Sequence, residues 1–216
     1  DPACGSGNFL IISYKRVREL EIEIWKRLFE LKETTLPFSS IQLTQFYGIE
    51  IDEYACDTAT LSLWLAEHQM DNKFRDEFGT CPDPLPLRPS GHIVCGNACR
   101  IDWDTVCPHT KDEEVYVMGN PPYLGSKKQL GYQKNDIEST FSKLNCRFKD
   151  LDYICCWFYK GAQYIQNRQK LAFVSTNSIT QGEQVPMLWP ILYSHNIEIS
   201  FAYKDFKWTN NAKDKA

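Results

Sequence analysis

Three short segments carry residue types at spacings from which chemistry can be built. The most informative is Val115-Tyr116-Val117-Met118-Gly119-Asn120-Pro121-Pro122-Tyr123, an apolar run followed at once by Asn-Pro-Pro-Tyr. Two successive prolines fix an extended, rigid turn. They hold Asn120 and Tyr123 at the carboxyl edge of the preceding strand, where open α/β sheets bind their ligands. An aromatic amino nitrogen is a poor nucleophile because its lone pair is delocalised into the ring. The Asn120 side-chain carbonyl and the Pro121 backbone carbonyl can each accept one of its N–H groups. That draws the nitrogen toward tetrahedral geometry and aims its lone pair in line at a sulfonium methyl. No strong base is needed first, since the amine turns acidic once alkylated. Tyr123 can stack on the face of a base, a contact worth about 1–3 kcal/mol. A base inside a duplex has to leave the stack to reach such a pocket.

The second segment, Asp1-Pro2-Ala3-Cys4-Gly5-Ser6-Gly7-Asn8-Phe9-Leu10, leads into a helical pattern. Its glycines permit a tight turn that brings backbone N–H groups and a helix N-terminus close to a ligand. A dinucleotide fingerprint would place a third glycine where Leu10 stands, so this loop alone is weak support for a nucleotide-like cofactor. The third segment, Gly48-Ile49-Glu50-Ile51-Asp52, puts a carboxylate at a strand end. Glu50 there can accept two hydrogen bonds from ribose hydroxyls, although a solvated strand terminus would look the same. No histidine, nucleophile or metal motif accompanies Glu50 and Asp52, which sets aside an acid–base couple.

The elements that must position these residues alternate along the chain, as in a mostly parallel sheet with helices on its faces. Apolar residues at Leu10, Tyr14, Val17, Leu20, Ile24 and Leu28 predict one face of a long helix. Phe46–Ile51 reads as a strand, and a helix follows from Glu53 to Met70 with Leu61, Trp64, Leu65 and His68 on one side. Asp71–Gly91, with its prolines and charges, reads as a surface loop. His92–Cys95, Val115–Met118 and Leu171–Ser175 read as strands, Asp150–Ile165 as a helix, and Ile197–Tyr203 as an alternating strand. The stretch from Gly125 to Cys146 is left as a long loop.

The 216 residues suffice for one sizeable α/β domain, and 43% hydrophobic with 24% charged residues is ordinary for a globular protein. No apolar run approaches a membrane span, so no membrane partner is expected. The net charge of −4 lacks the basic footprint of a dedicated nucleic-acid binder. DNA affinity would then rest on a separate domain or on local patches such as Ser126-Lys127-Lys128. Nine cysteines without framework spacing argue for a reducing compartment. Cys95, Cys99, Cys107 and His109 invite a metal reading, but the Cys95–Cys99 spacing is half of a zinc site with no matching second pair, so no metal is expected.

Together these motifs resemble those of the amino-group DNA methyltransferases of the adenine-N6 family. Asp1 to Gly7 is similar to the family's cofactor motif, Gly48 to Asp52 to its acidic motif, Gly96-Asn97-Ala98 with Arg100-Ile101-Asp102-Trp103 to the next cofactor element, and Asn120 to Tyr123 to its catalytic motif. Arg100 to Trp103 and Phe206-Lys207-Trp208-Thr209-Asn210-Asn211 look most like the large MmeI-type enzymes, which join nuclease, methyltransferase and recognition domains. The resemblance implies a Rossmann-like methyltransferase sheet and S-adenosyl-L-methionine as cofactor, bound by Asp1, Ala3, Gly5, Gly7, Glu50, Ile51, Asn97 and Ala98. It implies catalysis by Asn120, Pro121, Pro122 and Tyr123 on a flipped adenine in double-stranded DNA, with Phe206 or Trp208 joining Tyr123 in stacking. A restriction–modification role in a bacterial or archaeal cytoplasm follows from the same likeness.

Relative to the family pattern, the first strand should precede Asp1 and the last should follow Ala216. The sheet is thus expected to be truncated at both ends, with a cofactor half at 1–110, a catalytic half at 111–216, no recognition domain, and little activity in isolation. Methyltransferases acting on RNA guanine or protein glutamine share Asn-Pro-Pro-Tyr. A non-catalytic DNA-binding or scaffolding subunit and a nicotinamide oxidoreductase are the readings from other classes; the intact Asn120 to Tyr123 turn disfavours both.

Overall fold

The computed structural model describes residues 1–31, 36–79, 91–144, 146–166, 169–204 and 206. They divide into two compact units, the first comprising 1–121 with 164–173 and the second 122–163 with 174–216.

The first unit contains helix α1 (Asn8–Glu30), strand β1 (Tyr47–Glu50), helix α2 (Glu53–Phe78), strand β2 (His92–Cys95), the single turn α3 (Trp103–Val106), and strands β3 (Tyr116–Gly119) and β4 (Lys170–Phe173). β1 pairs in parallel with β2, Glu50 opposite Cys95, and α2 forms the crossover between them. β3 pairs in parallel with β4, Gly119 opposite Phe173. Parallel pairing requires such long connections, and the alternating pattern of the sequence reflects them.

α2 starts at Asp52, whose carboxylate accepts the Ala55 N–H at 2.8 Å, and stops at Gly79 in the left-handed conformation (φ 70°). These are the end signals expected of a helix. The helix therefore runs eight residues beyond the expected stop at Met70, and the prolines of 80–90 lie outside the described residues. Its buried face is Cys56, Ala59, Leu63, Ala66, Met70 and Phe74, and the side that carries Leu61 and Leu65 is exposed at those two residues.

α1 buries Leu10, Tyr14, Arg18, Glu21 and Ile22, while Val17, Leu20 and Ile24 of the expected face are exposed. The face is rotated because a charged residue belongs to it. Arg18 lies inside, donating to Asp71 at 3.0 Å and to the Tyr14 hydroxyl at 3.2 Å, with Glu21 at 3.4 Å. Buried charges persist only when paired in this way. Tyr14, Ile22, Leu63, Met70 and Phe74 form the shared core of α1 and α2.

The second unit contains helices α4 (Gly131–Phe141), α5 (Cys155–Tyr164, its last residue grouped with the first unit) and α6 (Gln184–Tyr193), with a short 3-10 turn at Asn177–Thr180. The expected loop from Gly125 to Cys146 thus holds a helix, which buries Gln133, Asp136, Ile137 and Phe141. The expected strand at Ile197–Tyr203 is not one: these residues carry no ladder, and Ile199, Phe201 and Tyr203 are exposed. Alternation makes a strand only where a partner edge satisfies its backbone. Among the described residues no helix is long and apolar enough to cross a membrane.

Candidate functional site

The glycine turn closes on itself and then onto β1. The Gly7 N–H donates to the Cys4 carbonyl at 2.8 Å, and the Asp1 carboxylate accepts the Ala3 N–H at 3.0 Å. Gly5 and Gly7 have φ of 53° and 86°, a region that favours glycine. Gly7 is required twice, because a Cβ there would sit 3.2 Å from the Ala59 Cβ of α2. The Glu50 carboxylate ties the turn to the strand end, accepting from Gly5 N–H at 2.8 Å, Ile51 N–H at 2.8 Å and Asp52 N–H at 3.0 Å. Burial pushes the Cys4 thiol beneath the turn up to about 11.

Asn97 follows the end of β2, next to Glu50 through the Gly96 N–H, which donates to the Glu50 carbonyl at 2.7 Å. Its side-chain oxygen accepts the Cys99 N–H at 2.8 Å, and its carbonyl accepts from Arg100 and Ile101. The turn buries Ala98, whose carbonyl accepts the Trp103 indole N–H at 3.0 Å. Ile51 is exposed beside this turn's partner strand.

The end of β3 reaches the same turn. Gly119 packs so closely on the Asp1 carboxylate that any Cβ would collide with it. Asn120 comes next, and its side-chain oxygen is buried without a hydrogen-bond partner among the described residues. Pro121 is fully buried. In the second unit Pro122 is exposed and Tyr123 is 48% exposed. The carboxyl ends of β1, β2 and β3 therefore each present one of the motifs singled out in the sequence.

The family described as MmeI, DNA-methyltransferase domain, matches residues 1–216. The chain belongs to this family.

As an MmeI-type methyltransferase core, it is 56% identical over its whole length to DNA methyltransferase A of Bacillus subtilis strain 168, of which it covers 25%. Over 31% of its length it is 39% identical to a putative type II restriction enzyme and methyltransferase of Methanocaldococcus jannaschii. Among solved structures it is similar to the Type IIL restriction-modification enzyme MmeI in complex with DNA. That match has a TM-score of 0.89 and 44% identity, covering 100% of this chain and 29% of MmeI. The chain thus spans about a quarter of the length of these larger relatives.

Of the residues assigned from the sequence to this methyltransferase core, Asp1, Ala3, Gly5, Gly7, Glu50, Ile51, Asn97, Ala98, Asn120 and Pro121 fall in the first unit, while Pro122, Tyr123 and Phe206 fall in the second. Phe206 is exposed; Trp208 lies outside the described residues. Sequence reasoning missed Gly119, for which the signal was a glycine at the strand's last position. It also missed a buried polar group around Leu124. There Asp152 accepts the Leu124 N–H at 2.8 Å, and the Gln129 amide donates to the Leu124 carbonyl at 2.8 Å. Among the described residues no three His, Cys, Asp or Glu side chains converge as metal ligands would.

Proposed function

We propose that this chain is the part of a restriction–modification enzyme that methylates the N6 amino group of adenine in double-stranded DNA, with S-adenosylmethionine as donor. The observation that carries this reading is the Asn120 side-chain oxygen, buried and without a partner among the described residues, directly ahead of the buried Pro121. A buried acceptor left unmatched costs about 1–3 kcal/mol, which is tolerable where a substrate N–H completes it. The Asn120 oxygen accepts one N–H of the amine and the Pro121 carbonyl the other, localising the nitrogen lone pair. The exposed Tyr123 ring offers a stacking face for a base turned out of the helix, and Phe206 or Trp208 a second.

The cofactor supplies an electrophilic methyl group. The residues present fit it: the glycine turn gives a close backbone approach, Glu50 presents its carboxylate at a strand end, and Ile51, Asn97 and Ala98 flank that position. Glu50 already serves three N–H groups, so a ribose hydroxyl would share a carboxylate that the turn has oriented. Asp1 and Ala3 with Gly5 and Gly7 would take the methionine end.

The same reading assigns a cofactor half at 1–110, a catalytic half at 111–216 and a Rossmann-like sheet. The Asp1 amino group donates to the Tyr47 carbonyl at 2.8 Å, and the Ile49 N–H donates to the Asp1 carbonyl at 2.9 Å. That pair is a parallel bridge between Asp1 and Gly48. A groove of about 900 Å³ runs alongside, lined by Tyr47, Ile49, Val115, Val117, Trp103 and Tyr164. Its lining does not include Glu50, Asn97 or Asn120, so it is separate from the cofactor position proposed above. Recognition and nuclease functions would belong to other parts of the parent protein.

Incubating the full-length protein with unmethylated genomic DNA and methyl-labelled donor tests the reading. Label in N6-methyladenine is expected. Label only in RNA guanine or protein glutamine would transfer the assignment to those substrates, and DNA binding without cofactor binding would favour a scaffolding subunit.

A further inference from the structure

We propose that Gln129 and Asp152 are positioning residues that set the Tyr123 ring for the target base; the inference rests on the reading of Tyr123 as a stacking platform. All the groups involved lie in the second unit. Tyr123 stands between Pro122, whose ring fixes its own φ, and Leu124, whose two backbone polar groups are both held. The Leu124 N–H donates to Asp152 Oδ1 at 2.8 Å. Its carbonyl accepts from Gln129 Nε2 at 2.8 Å and from the Tyr153 N–H at 3.0 Å.

The holders are themselves fixed. Gln129 Nε2 also donates to the Leu151 carbonyl at 2.9 Å, the Asp152 N–H donates to Gln184 Oε1 at 2.9 Å, and Gln184 Nε2 donates to the Asp150 carbonyl at 2.8 Å. Gln129 and Asp152 are buried. Buried polar side chains that satisfy one another in this way rigidify and specify a single arrangement. The Tyr123 backbone is thereby held between Pro122 and an anchored Leu124, so the exposed ring is left with its side-chain torsions as its main freedom. Asp152 also accepts the Ile154 N–H at 3.3 Å, just ahead of α5, and so has a second, purely structural duty. Among the described residues the Gln129 amide donates only to the carbonyls of Leu124 and Leu151, which makes it the sharper probe.

The test is a double-mutant cycle in the full-length protein, with methyl transfer to unmethylated genomic DNA as readout and cofactor affinity measured in parallel. Gln129→Leu is expected to lower kcat/KM for DNA about 10–100-fold, the scale of a misplaced contact, and to leave the cofactor Kd unchanged. In the Tyr123→Ala background the same substitution should cause no further loss. Asp152→Asn keeps an acceptor oxygen and should retain activity that Asp152→Ala loses, which guards against a Gln129 variant that does not fold. Equal losses from Gln129→Leu in both backgrounds, or an Asp152→Asn enzyme as impaired as Asp152→Ala, would overturn the positioning role while leaving the methyltransferase reading intact. A wild-type protein that places no label in N6-methyladenine would remove that reading and this inference with it.

Discussion

Glu50 Oε2 accepts the Gly5 N–H at 2.8 Å, while its other oxygen holds Ile51 and Asp52. One carboxylate thus joins the glycine turn to the end of β1. Hydrogen bonds to a charged group contribute about 1.5–3 kcal/mol each, so Glu50→Ala should release the turn as well as remove a ribose partner. Calorimetric titration of the full-length protein is expected to show cofactor affinity reduced by roughly a hundredfold or more. An unchanged dissociation constant would remove Glu50 from the cofactor site.

Asn120→Ala is expected to separate binding from chemistry. Loss of one pre-placed hydrogen-bonding group at a reacting centre typically lowers kcat about 10²–10³-fold. The cofactor Kd should stay at its wild-type value, since the Asn120 oxygen has no hydrogen-bond partner among the described residues. Single-turnover methyl transfer beside equilibrium dialysis reads both quantities, and transfer at the wild-type rate would refute the role.

The two glycines of the turn should not be equally sensitive. Both have positive φ, but a Cβ at Gly5 meets nothing within 4 Å, whereas one at Gly7 presses on Ala59. Left-handed strain alone costs about 1–2 kcal/mol, and crowding against a packed helix adds about 1–3 kcal/mol. Thermal melts are expected to rank Gly7→Ala well below Gly5→Ala. The reverse order would mean that α2 yields to the added methyl.

Arg18→Ala should be among the most damaging changes remote from the motifs. It leaves Glu21 and Asp71 without their cation, and breaking a buried pair from one side costs about 3–5 kcal/mol. Arg18→Met combined with neutral residues at both acidic positions should recover most of that loss in denaturant unfolding. Failure to recover would show that the pair fixes the helix register as well.

Alkaline pH should destabilise the fold. Burial raises the Cys4 thiol to about 11 and the Cys56 thiol to about 12 from an ordinary value of about 8.5. Because the folded state favours the protonated thiols, their contribution is complete below the unfolded value and is lost as pH rises from there through the folded ones. The melting temperature is therefore expected to be level between about pH 7 and 8 and to fall above about pH 9. Cys4→Ser should flatten the first part of that fall.

The parts legible in the sequence were those fixed by local chemistry. Gly5, Gly7, Glu50, Asn97 and Asn120 announce turns or strand ends through their own side chains, and the structure puts each at such a place. What escaped depended on distant partners. Nothing near Arg18 in the chain shows that Asp71 will neutralise it, so the apolar pattern alone places the buried face of α1 away from Arg18. The end of α2 was placed at Met70 because charge was taken for loop, although Arg75 and Gly79 together form an ordinary helix stop. α4 was hidden because its buried face includes the polar Gln133, which accepts the Leu130 N–H, and Asp136, which accepts the Tyr153 hydroxyl. At Ile197–Tyr203 the alternation was present and the partner edge was not.

The buried, unmatched oxygen of Asn120 also bears on how this chain can be re-engineered. A redesign guided only by folding energy would replace Asn120 early, since a small apolar residue there removes an acceptor left unmatched among the described residues. On the role proposed for Asn120, its product would be hardier and catalytically impaired. Any effort to thermostabilise enzymes of this kind should therefore hold Asn120 and Pro121 fixed and seek its gains in the α1–α2 core.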